Sequence, residues 1–308
     1  MRVPGAISGT LSLGFGLSSA HMAAMEERPT GRIERVAPLV RRVLAPNPSP
    51  FTYTGTQSFI VGEGEVAVID PGPDDAAHVA ALVEALAEER VAWILCTHTH
   101  RDHSPASRAL QAATGAPIVG CAALAVDDEG IASDEAFDPD YRPDRVLAEG
   151  ESVSGPGWRL DAVATPGHTS NHLCFALPET GALFSGDHVM GWSTSIVAPP
   201  DGNMTDYLAS LAKLAARHDS VYFPTHGPAV EDPQAQVLRL IAHRRERENQ
   251  ILAQLEAGAA RISGIVSNMY REVDPRLHPA AALSVLAHLI DLEGRGLVHR
   301  DADRWLRG

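Results

Sequence analysis

The chain has 308 residues, of which 44% are hydrophobic and 21% charged, and it carries a formal net charge of −14. This composition is typical of a soluble globular protein, and the length is enough for about two domains. The acidity disfavours non-specific binding to nucleic acid or to an anionic membrane surface, and past the first 25 residues no stretch is apolar enough to span a bilayer.

The first residues and the cysteines bear on processing and location. Residues 3–25 carry no formally charged side chain, but glycines interrupt their apolar pattern. A secretory signal has a basic start and a compact apolar run, so we predict that residues 1–30 form a disordered extension or a leader. Cys96, Cys121 and Cys174 lack CxxC spacing, which predicts buried free thiols and is compatible with a cytoplasmic protein.

The first predicted elements alternate between strands and helices. Apolar runs around a glycine-rich turn indicate a strand–turn–strand unit, and apolar residues at helical spacing follow it. In chain order the predictions are strands at 59–61 and 66–69, a helix at 76–90, a strand at 91–96, a helix at 104–114 and a strand at 116–120.

The middle of the chain is predicted to consist mainly of short strands with glycine and proline at the turns. The individual predictions are a hairpin from strands 172–177 and 182–185, a helix at 204–217 and a strand at 221–223. Mixed strands with interleaved helices suit two stacked sheets with helices outside, although periodicity alone does not choose this arrangement.

After residues 231–233 the pattern becomes helical. Helices are predicted at 235–256, 262–271 and 279–292, followed by a small hairpin within 294–306. Helices followed by a hairpin resemble a winged helix. We therefore predict a catalytic domain over residues 31–234 and a helical, winged-helix-like domain over residues 235–308. The charge is uneven, because residues 241–308 carry +1 and residues 1–240 carry −15.

Seven histidines and aspartates stand at or after the ends of predicted strands. Imidazole and carboxylate are the ligands that borderline ions such as Zn²⁺ prefer, and sheet enzymes place their chemistry at strand ends. Five histidines and two aspartates can hold two ions with positions left open for water, which indicates a metal-dependent hydrolase. The candidate ligands are His98, His100, Asp102, His103, His168, Asp187 and His226.

This spacing resembles the metallo-β-lactamase superfamily, from about Thr52 to about Pro228. The resemblance implies an αββα sandwich of the α/β class. It also implies a second role for Asp70, whose carboxylate would accept a hydrogen bond from a ligand histidine and fix its ring. His172 and His188 are further candidates for such supporting contacts. The ligand sets that the resemblance implies are His98, His100 and His168 for one metal, Asp102, His103 and His226 for the second, and Asp187 as the bridge.

The implied cofactors are two Zn²⁺ ions per chain, with Mn²⁺ or Fe²⁺ as alternatives. Two such ions hold a bridging hydroxide ready at neutral pH, and Asp102 is the predicted catalytic residue that orients it. The loop after Asp187 is predicted to contact the substrate through Trp192, Ser193 and Thr194. Tyr207 either reaches the site or lies in the core.

Two substrate classes remain open at this stage. The acidic catalytic part favours a small ester, thioester or lactone. Single-stranded RNA is the alternative, because residues 241–248 and the tail resemble bacterial relatives of the mitochondrial β-lactamase-like endoribonuclease. The C-terminal domain would then line the cleft, whereas its other expected roles are packing or formation of a homodimer.

Other members of the superfamily fit the motif less well. True β-lactamases usually lack an aspartate that matches Asp187, and glyoxalase-type thioesterases usually have three consecutive histidines where this chain has His98-Thr99-His100. The nuclease branch with an inserted domain needs more than the 38 residues between Asp187 and His226. A non-catalytic scaffold stabilised by metal is disfavoured too, since structural zinc sites are closed with four ligands.

Overall fold

The computed structural model describes residues 29–124, 136–258 and 260–308. Residues 1–28 of the predicted N-terminal extension therefore lie outside the described residues. The helices are α1 (Ala76–Ala85), α2 (Ala106–Thr114), α3 (Met204–Ala215), α4 (Pro233–Glu256), α5 (Ile262–Met269) and α6 (His278–Gly294). The strands are β1 (Ile33–Ala37), β2 (Val40–Leu44), β3 (Gln57–Glu63), β4 (Glu65–Ile69), β5 (Arg90–Cys96), β6 (Ile118–Gly120), β7 (Arg145–Val146), β8 (Ser152–Gly155), β9 (Trp158–Ala164), β10 (Leu173–Leu177), β11 (Ala182–Gly186), β12 (Val221–Pro224), β13 (Val298–Asp301) and β14 (Arg304–Arg307).

In the described part of the chain, strands β1 to β7 form one sheet in sequence order. Strands β1 to β4 pair antiparallel, whereas β4 to β7 pair parallel. Helix α1 packs on α2 and β2, and α2 packs on β5 and β6. The central strands β4 and β5 are consequently buried along most of their length, which explains their almost continuous apolar sequences.

The second sheet has the order β12-β11-β10-β9-β8, and only β11 and β12 pair parallel within it. Successive residues of β10 point to opposite faces, and both faces are buried. Leu173 and Phe175 lie in the core between the two sheets, where Phe59 and Phe184 also meet with ring centroids 5.2 Å apart. Cys174 packs instead toward α3. Helices thus cover both sheets, and the predicted αββα fold is confirmed.

The C-terminal helices share two cores. The first half of α4 packs beside α3 through Val237 and Leu240. Its second half forms a separate core with α5, α6 and the β13–β14 hairpin, in which Ile251 and Trp305 are buried. This arrangement confirms the predicted winged-helix-like architecture. The boundary between residues 234 and 235 stays a prediction, since α4 extends across it.

Several local predictions need adjustment or are confirmed. The helix predicted over 76–90 ends at Ala85, residues 86–88 form a turn, and the amide of Arg90 donates to the Gly64 carbonyl at 2.7 Å at the start of β5. Cys96, Cys121 and Cys174 are buried and free, as predicted. Within the described ranges, no helix combines the length and the apolar character needed to cross a membrane.

Candidate metal centre

The ligand run His98 to His103 lies in the turn between β5 and α2, at the end of the parallel part of the first sheet. The carboxylate of Asp70, which follows β4, holds the start of this turn. It accepts hydrogen bonds from the Thr97 amide at 2.8 Å and the Thr97 hydroxyl at 2.9 Å. Two adjacent strand ends are therefore tied together where the ligands begin.

All seven candidate ligands are buried and converge on one place. Within each of three groups, the ligand atoms lie within 4.8 Å of one another. These groups are His98, His100 and His168; His98, His103 and Asp187; and Asp102, His103 and His226. The residues of the two predicted ligand sets thus come together, although the second sheet and its loops supply His168, Asp187 and His226.

Asp187 lies between the two predicted sets. Its Oδ2 is 3.9 Å from His168 Nε2 and 3.5 Å from His103 Nε2, and its Oδ1 is 3.5 Å from His226 Nε2. Asp102 Oδ2 lies 3.0 Å from the same nitrogen of His226. One carboxylate therefore faces histidines of both sets, as the predicted bridging role requires.

The donor atoms of this cluster suit a cation. Asp102 Oδ1, His168 Nε2 and Asp187 Oδ1 are buried and have no hydrogen-bond partner in the part of the chain that the structure describes. Buried polar atoms normally have a partner, so three orphaned acceptors aimed at one place need an explanation. Divalent ions bound by carboxylate oxygens and imidazole nitrogens would satisfy them all. The residues present thus fit a metal centre.

Neighbouring groups orient the ligand rings. His103 Nδ1 donates to Asp70 at 2.9 Å, and His168 Nδ1 donates to the Ile196 carbonyl at 2.6 Å. In both rings the hydrogen bond at Nδ1 leaves Nε2 directed at the cluster. Asp70 also accepts from the Thr225 hydroxyl at 2.7 Å, just before the ligand His226. Contacts of this kind fix the tautomer and ring orientation of metal ligands.

The electrostatics separate the histidines into two kinds. Burial, followed by the charges of neighbouring histidines, holds the pKa of His98 well below its usual range. Burial and His168 likewise lower the pKa of His100 to about 3. At His103 burial opposes the charge, but Asp102 and Asp187 outweigh it and raise the pKa. The imidazoles of His98 and His100 are thus kept neutral, whereas the neighbouring carboxylates stabilise the protonated form of His103.

His172 and His188 lie beside the ligands and differ in their contacts. His172 Nε2 accepts from the Asp187 amide at 3.3 Å, and its Nδ1 bonds to Thr165 Oγ1 at 2.8 Å. It therefore supports the backbone of a ligand. His188 is fully buried, with no hydrogen bond to either ring nitrogen within the described residues, and burial lowers its pKa to about 3.

Trp192 lies against the chain that carries His226. Its Nε1 donates to the His226 carbonyl at 3.1 Å, and its ring is 5.0 Å from that of Tyr53. Gly227 has φ +87°, and a Cβ there would lie 2.3 Å from Trp192 Cδ1. Only glycine permits this approach. Both aromatic rings are half-buried, so they form a partly accessible pair beside the candidate ligand His226.

The other predicted loop residues fall in two different environments. Ser193 and Thr194 are half-buried, and Ser193 Oγ donates to the Thr194 carbonyl at 3.3 Å. Tyr207 is fully buried under the loop, and its hydroxyl donates to the His188 carbonyl at 3.2 Å. Of the two alternatives for Tyr207, the structure places it in the core.

Sequence reasoning missed several contributors to the site. Thr97 and Thr225 directly precede ligand histidines, so their position in the motifs could have drawn attention to them. Tyr53 and the Ile196 carbonyl carry no such signal, because only the folding of distant loops brings them to Trp192 and His168.

Comparisons with known proteins agree with this geometry. A family model described as the metallo-beta-lactamase superfamily matches residues 52–226, and one described as the beta-lactamase associated winged helix domain matches residues 262–305. The beta-lactamase-like protein 2 homolog of Drosophila melanogaster is 31% identical over 88% of this chain and 94% of its own length.

Two further similarities concern an enzyme and a solved structure. The atrochrysone carboxyl ACP thioesterase AgnL7 of Paecilomyces divaricatus is 31% identical over 74% of this chain and 68% of its own length. A beta-lactamase domain protein from Burkholderia ambifaria superposes with a TM-score of 0.75 over 93% of this chain and 96% of its own, at 23% identity. The latter likeness shows the fold.

Proposed function

This chain belongs to the metallo-β-lactamase superfamily of hydrolases, as its sequence predicted, and we propose that it hydrolyses a small thioester, ester or lactone at a dinuclear zinc centre. The observation that carries the proposal is the convergence of seven buried ligand side chains, three of which hold orphaned acceptor atoms. A structural zinc site has four ligands, so it would need neither seven ligand side chains nor a bridging carboxylate.

We assign His98, His100 and His168 to one ion and Asp102, His103 and His226 to the other, with Asp187 shared. When bound, two zinc ions would supply Lewis acidity and a nucleophile at neutral pH. Mn²⁺ or Fe²⁺ would suit the same nitrogen and oxygen donors.

Asp102 is the proposed catalytic residue. Burial opposes its ionisation, but His103 and His226 outweigh burial and lower its pKa, so the carboxylate is charged at neutral pH. One oxygen is held near His226, while Oδ1 is buried, lies 3.6 Å from His103 Nε2 and has no hydrogen-bond partner among the described residues. Oδ1 is therefore placed to accept a hydrogen bond from the attacking water and to keep it aligned.

A carbonyl substrate is favoured by charge and by relatives. Residues 1–240 carry −15, which repels a polyanion from the catalytic part. A relative at 31% identity is named as an acyl carrier protein thioesterase, and we extend the thioester class to this chain. We propose a small-molecule thioester as the substrate and a cytoplasmic location for the protein.

One observation favours single-stranded RNA as a second candidate. The half-buried rings of Tyr53 and Trp192 lie 5.0 Å apart beside the ligand His226. Partly exposed aromatic faces of this kind can stack nucleobases without selecting a sequence. The near-neutral residues 241–308 would be less repelled by RNA than the rest of the chain.

A substrate panel tests the proposal. Zinc-loaded protein would be offered an acyl thioester, an aryl ester, a lactone, a β-lactam and a fluorogenic single-stranded RNA, beside Asp187→Ala and the matched control His218→Ala. His218 is exposed and is not one of the seven ligands. We expect thioester turnover by parent and control, and a loss of more than ~100-fold in Asp187→Ala, because even groups that only support ligands cost ~10–100-fold.

The other outcomes separate the alternatives. Cleavage of RNA alone, abolished in Asp187→Ala, would assign the endoribonuclease function instead, and turnover of the β-lactam alone would assign a β-lactamase. If the metal-replete parent turns over none of the substrates, the result would contradict the proposed enzymatic activity and favour a non-catalytic scaffold stabilised by metal.

A further inference from the structure

Arg244 lies on α4, outside the residues that the superfamily model matches, yet it reaches the loop that follows Asp187. Its side chain is buried, and Nη2 donates to the Ser195 carbonyl. Its guanidinium carbon also lies 5.1 Å from the ring centroid of Tyr207. One side chain of the C-terminal helix thus contacts two residues of the catalytic part.

The segment that Arg244 holds contacts two metal-ligand residues. Ser195 Oγ donates to the backbone carbonyl of Asp187 and, at 2.8 Å, to that of His188. The carbonyl of Ile196, the next residue, accepts the hydrogen bond from His168 Nδ1 at 2.6 Å. Two consecutive residues therefore set the backbone of one ligand and the ring of another.

Tyr207 provides a second connection to the same place. Its hydroxyl donates to the His188 carbonyl at 3.2 Å, and its ring lies under the guanidinium of Arg244. A cation over an aromatic face is attracted by the ring, and the attraction is stronger away from water. Arg244 consequently supports the chain around Asp187 through both Ser195 and Tyr207.

Burial of an arginine side chain is unfavourable by itself. Removing a charge from water is unfavourable unless hydrogen bonds or an opposite charge compensate it. Within residues 29–124, 136–258 and 260–308, Arg244 makes no ion pair, and its compensation is the Ser195 carbonyl and the Tyr207 ring. Its neighbours His243 and His288 have pKa values lowered by burial and then by Arg244, to about 4 and about 3, so both stay neutral.

We propose that Arg244 is a positioning residue for the metal centre: it locks the segment Ser195–Ile196 and thereby fixes His168 and Asp187 for metal binding. The C-terminal helix would then be part of the hydrolytic machinery through this one contact. The inference rests on the proposed metal centre and adds to it a residue that touches neither metal nor substrate.

Metal affinity is the decisive measurement, because a packing role alone would not change it selectively. The variant Arg244→Met keeps an unbranched, flexible side chain and removes the hydrogen-bond donors and the charge. By competition with a chromophoric chelator, we expect its zinc Kd to rise ~10–100-fold, the usual cost of removing a group that orients metal ligands. Its kcat should fall more than its KM rises, since the substrate contacts remain.

Arg247→Met is the matched control. Arg247 is a buried arginine one turn along the same helix, and its guanidinium contacts His243, Gln250 and the Tyr270 ring, all in the C-terminal part. We expect parental zinc affinity from this variant. Arg244→Lys, which retains a charged donor, should recover part of the affinity and provides the test if Arg244→Met does not fold.

The outcomes distinguish this inference from the proposed function. Parental zinc affinity in both Arg244 variants, or an equal loss in the Arg244 and Arg247 variants, would overturn the positioning role. A parent that binds no zinc would instead refute the metal centre itself. Thermal unfolding of the metal-free proteins, measured in parallel, separates a loss of affinity from a loss of fold.

Discussion

The protein buries two groups of histidines, and the charges around them differ. The metal cluster consists of the seven candidate ligands and includes two carboxylates. The helix cluster consists of His243, Arg244, Arg247 and His288, between α4 and α6. In the metal cluster, histidine nitrogens and carboxylate oxygens lie 3.0 to 3.9 Å apart. In the helix cluster, neither arginine makes an ion pair within the described residues.

The difference shows why burial of histidine alone does not indicate a metal site. Both clusters hold histidines with lowered pKa values, and both contain ring nitrogens that have no hydrogen-bond partner among the described residues. Only the metal cluster combines those nitrogens with carboxylates that can neutralise a divalent ion. In the helix cluster a further cation would be repelled by Arg244 and Arg247, so its role is packing and positioning.

The largest difference between the two clusters is expected when metal is removed. A chelator is expected to abolish hydrolysis and to destabilise the fold, because a site saturated at 100 times its Kd contributes about 2.7 kcal/mol. Activity and unfolding free energy would be measured before and after zinc is restored. The variant His288→Gln should bind the same number of zinc ions as the parent. The loss of one equivalent of zinc would show that the helix cluster also takes part in metal binding.

The variant Asp70→Asn tests whether the hydrogen bonds around the metal cluster contribute to zinc affinity. The carboxylate of Asp70 accepts from Thr97, His103 and Thr225, and an amide group would turn a donor toward one of them. Asparagine tolerates the φ of +49° found here. We expect zinc affinity to fall ~10–100-fold, measured by chelator competition.

The control for Asp70→Asn is Asp75→Asn. Asp75 caps α1 by accepting from the His78 amide at 2.8 Å, and asparagine caps a helix about as well as aspartate. Zinc affinity and stability should both stay parental in this control. Equal losses in the two variants would show that Asp70 contributes only to the fold.

Acid should destabilise the helix cluster through His288. Burial and Arg244 lower its folded-state pKa from the usual 6.5 to about 3. Between these values the unfolded chain binds more protons, so stability falls as pH falls from about 6.5, by up to about 1.4 kcal/mol per unit for this group. Urea unfolding of metal-free protein at pH 7.5, 6.5 and 5.5 would measure it.

The variant His288→Gln removes this titration and should give a shallower loss of stability below pH 6.5 than the parent shows. Parallel curves for parent and variant would mean that His288 is not kept neutral by its surroundings. The comparison between the clusters would then lose its electrostatic basis on the helix side.

Tyr207→Phe should have the smallest effect, although Tyr207 contacts both regions. The variant loses one hydrogen bond, from the hydroxyl to the His188 carbonyl, while the ring under Arg244 remains. We expect about 1 kcal/mol less unfolding free energy and a smaller change in zinc affinity than in Arg244→Met. A larger change in affinity would assign the main connection to Tyr207.

Local patterns in the sequence were sufficient to predict the candidate metal ligands and the class of fold. His98 to His103 follow a continuous apolar strand within a few residues, so local pattern was enough to place them at a strand end. The continuously apolar sequence of β10 indicates burial on both faces for the same local reason. The spacing of His168, Asp187 and His226 added the family and, through it, the αββα arrangement.

The distant groups that complete the site could be identified only from the packed arrangement of the elements. Arg244 and Ser195 are 49 residues apart, and neither lies in a pattern that predicts the contact. The predicted end of α1 was wrong for the same reason. Arg90 belongs to β5, where its amide donates a hydrogen bond to the Gly64 carbonyl of a distant turn. Periodicity reports which face of an element is buried, whereas the partner of a buried polar atom depends on how the elements pack together.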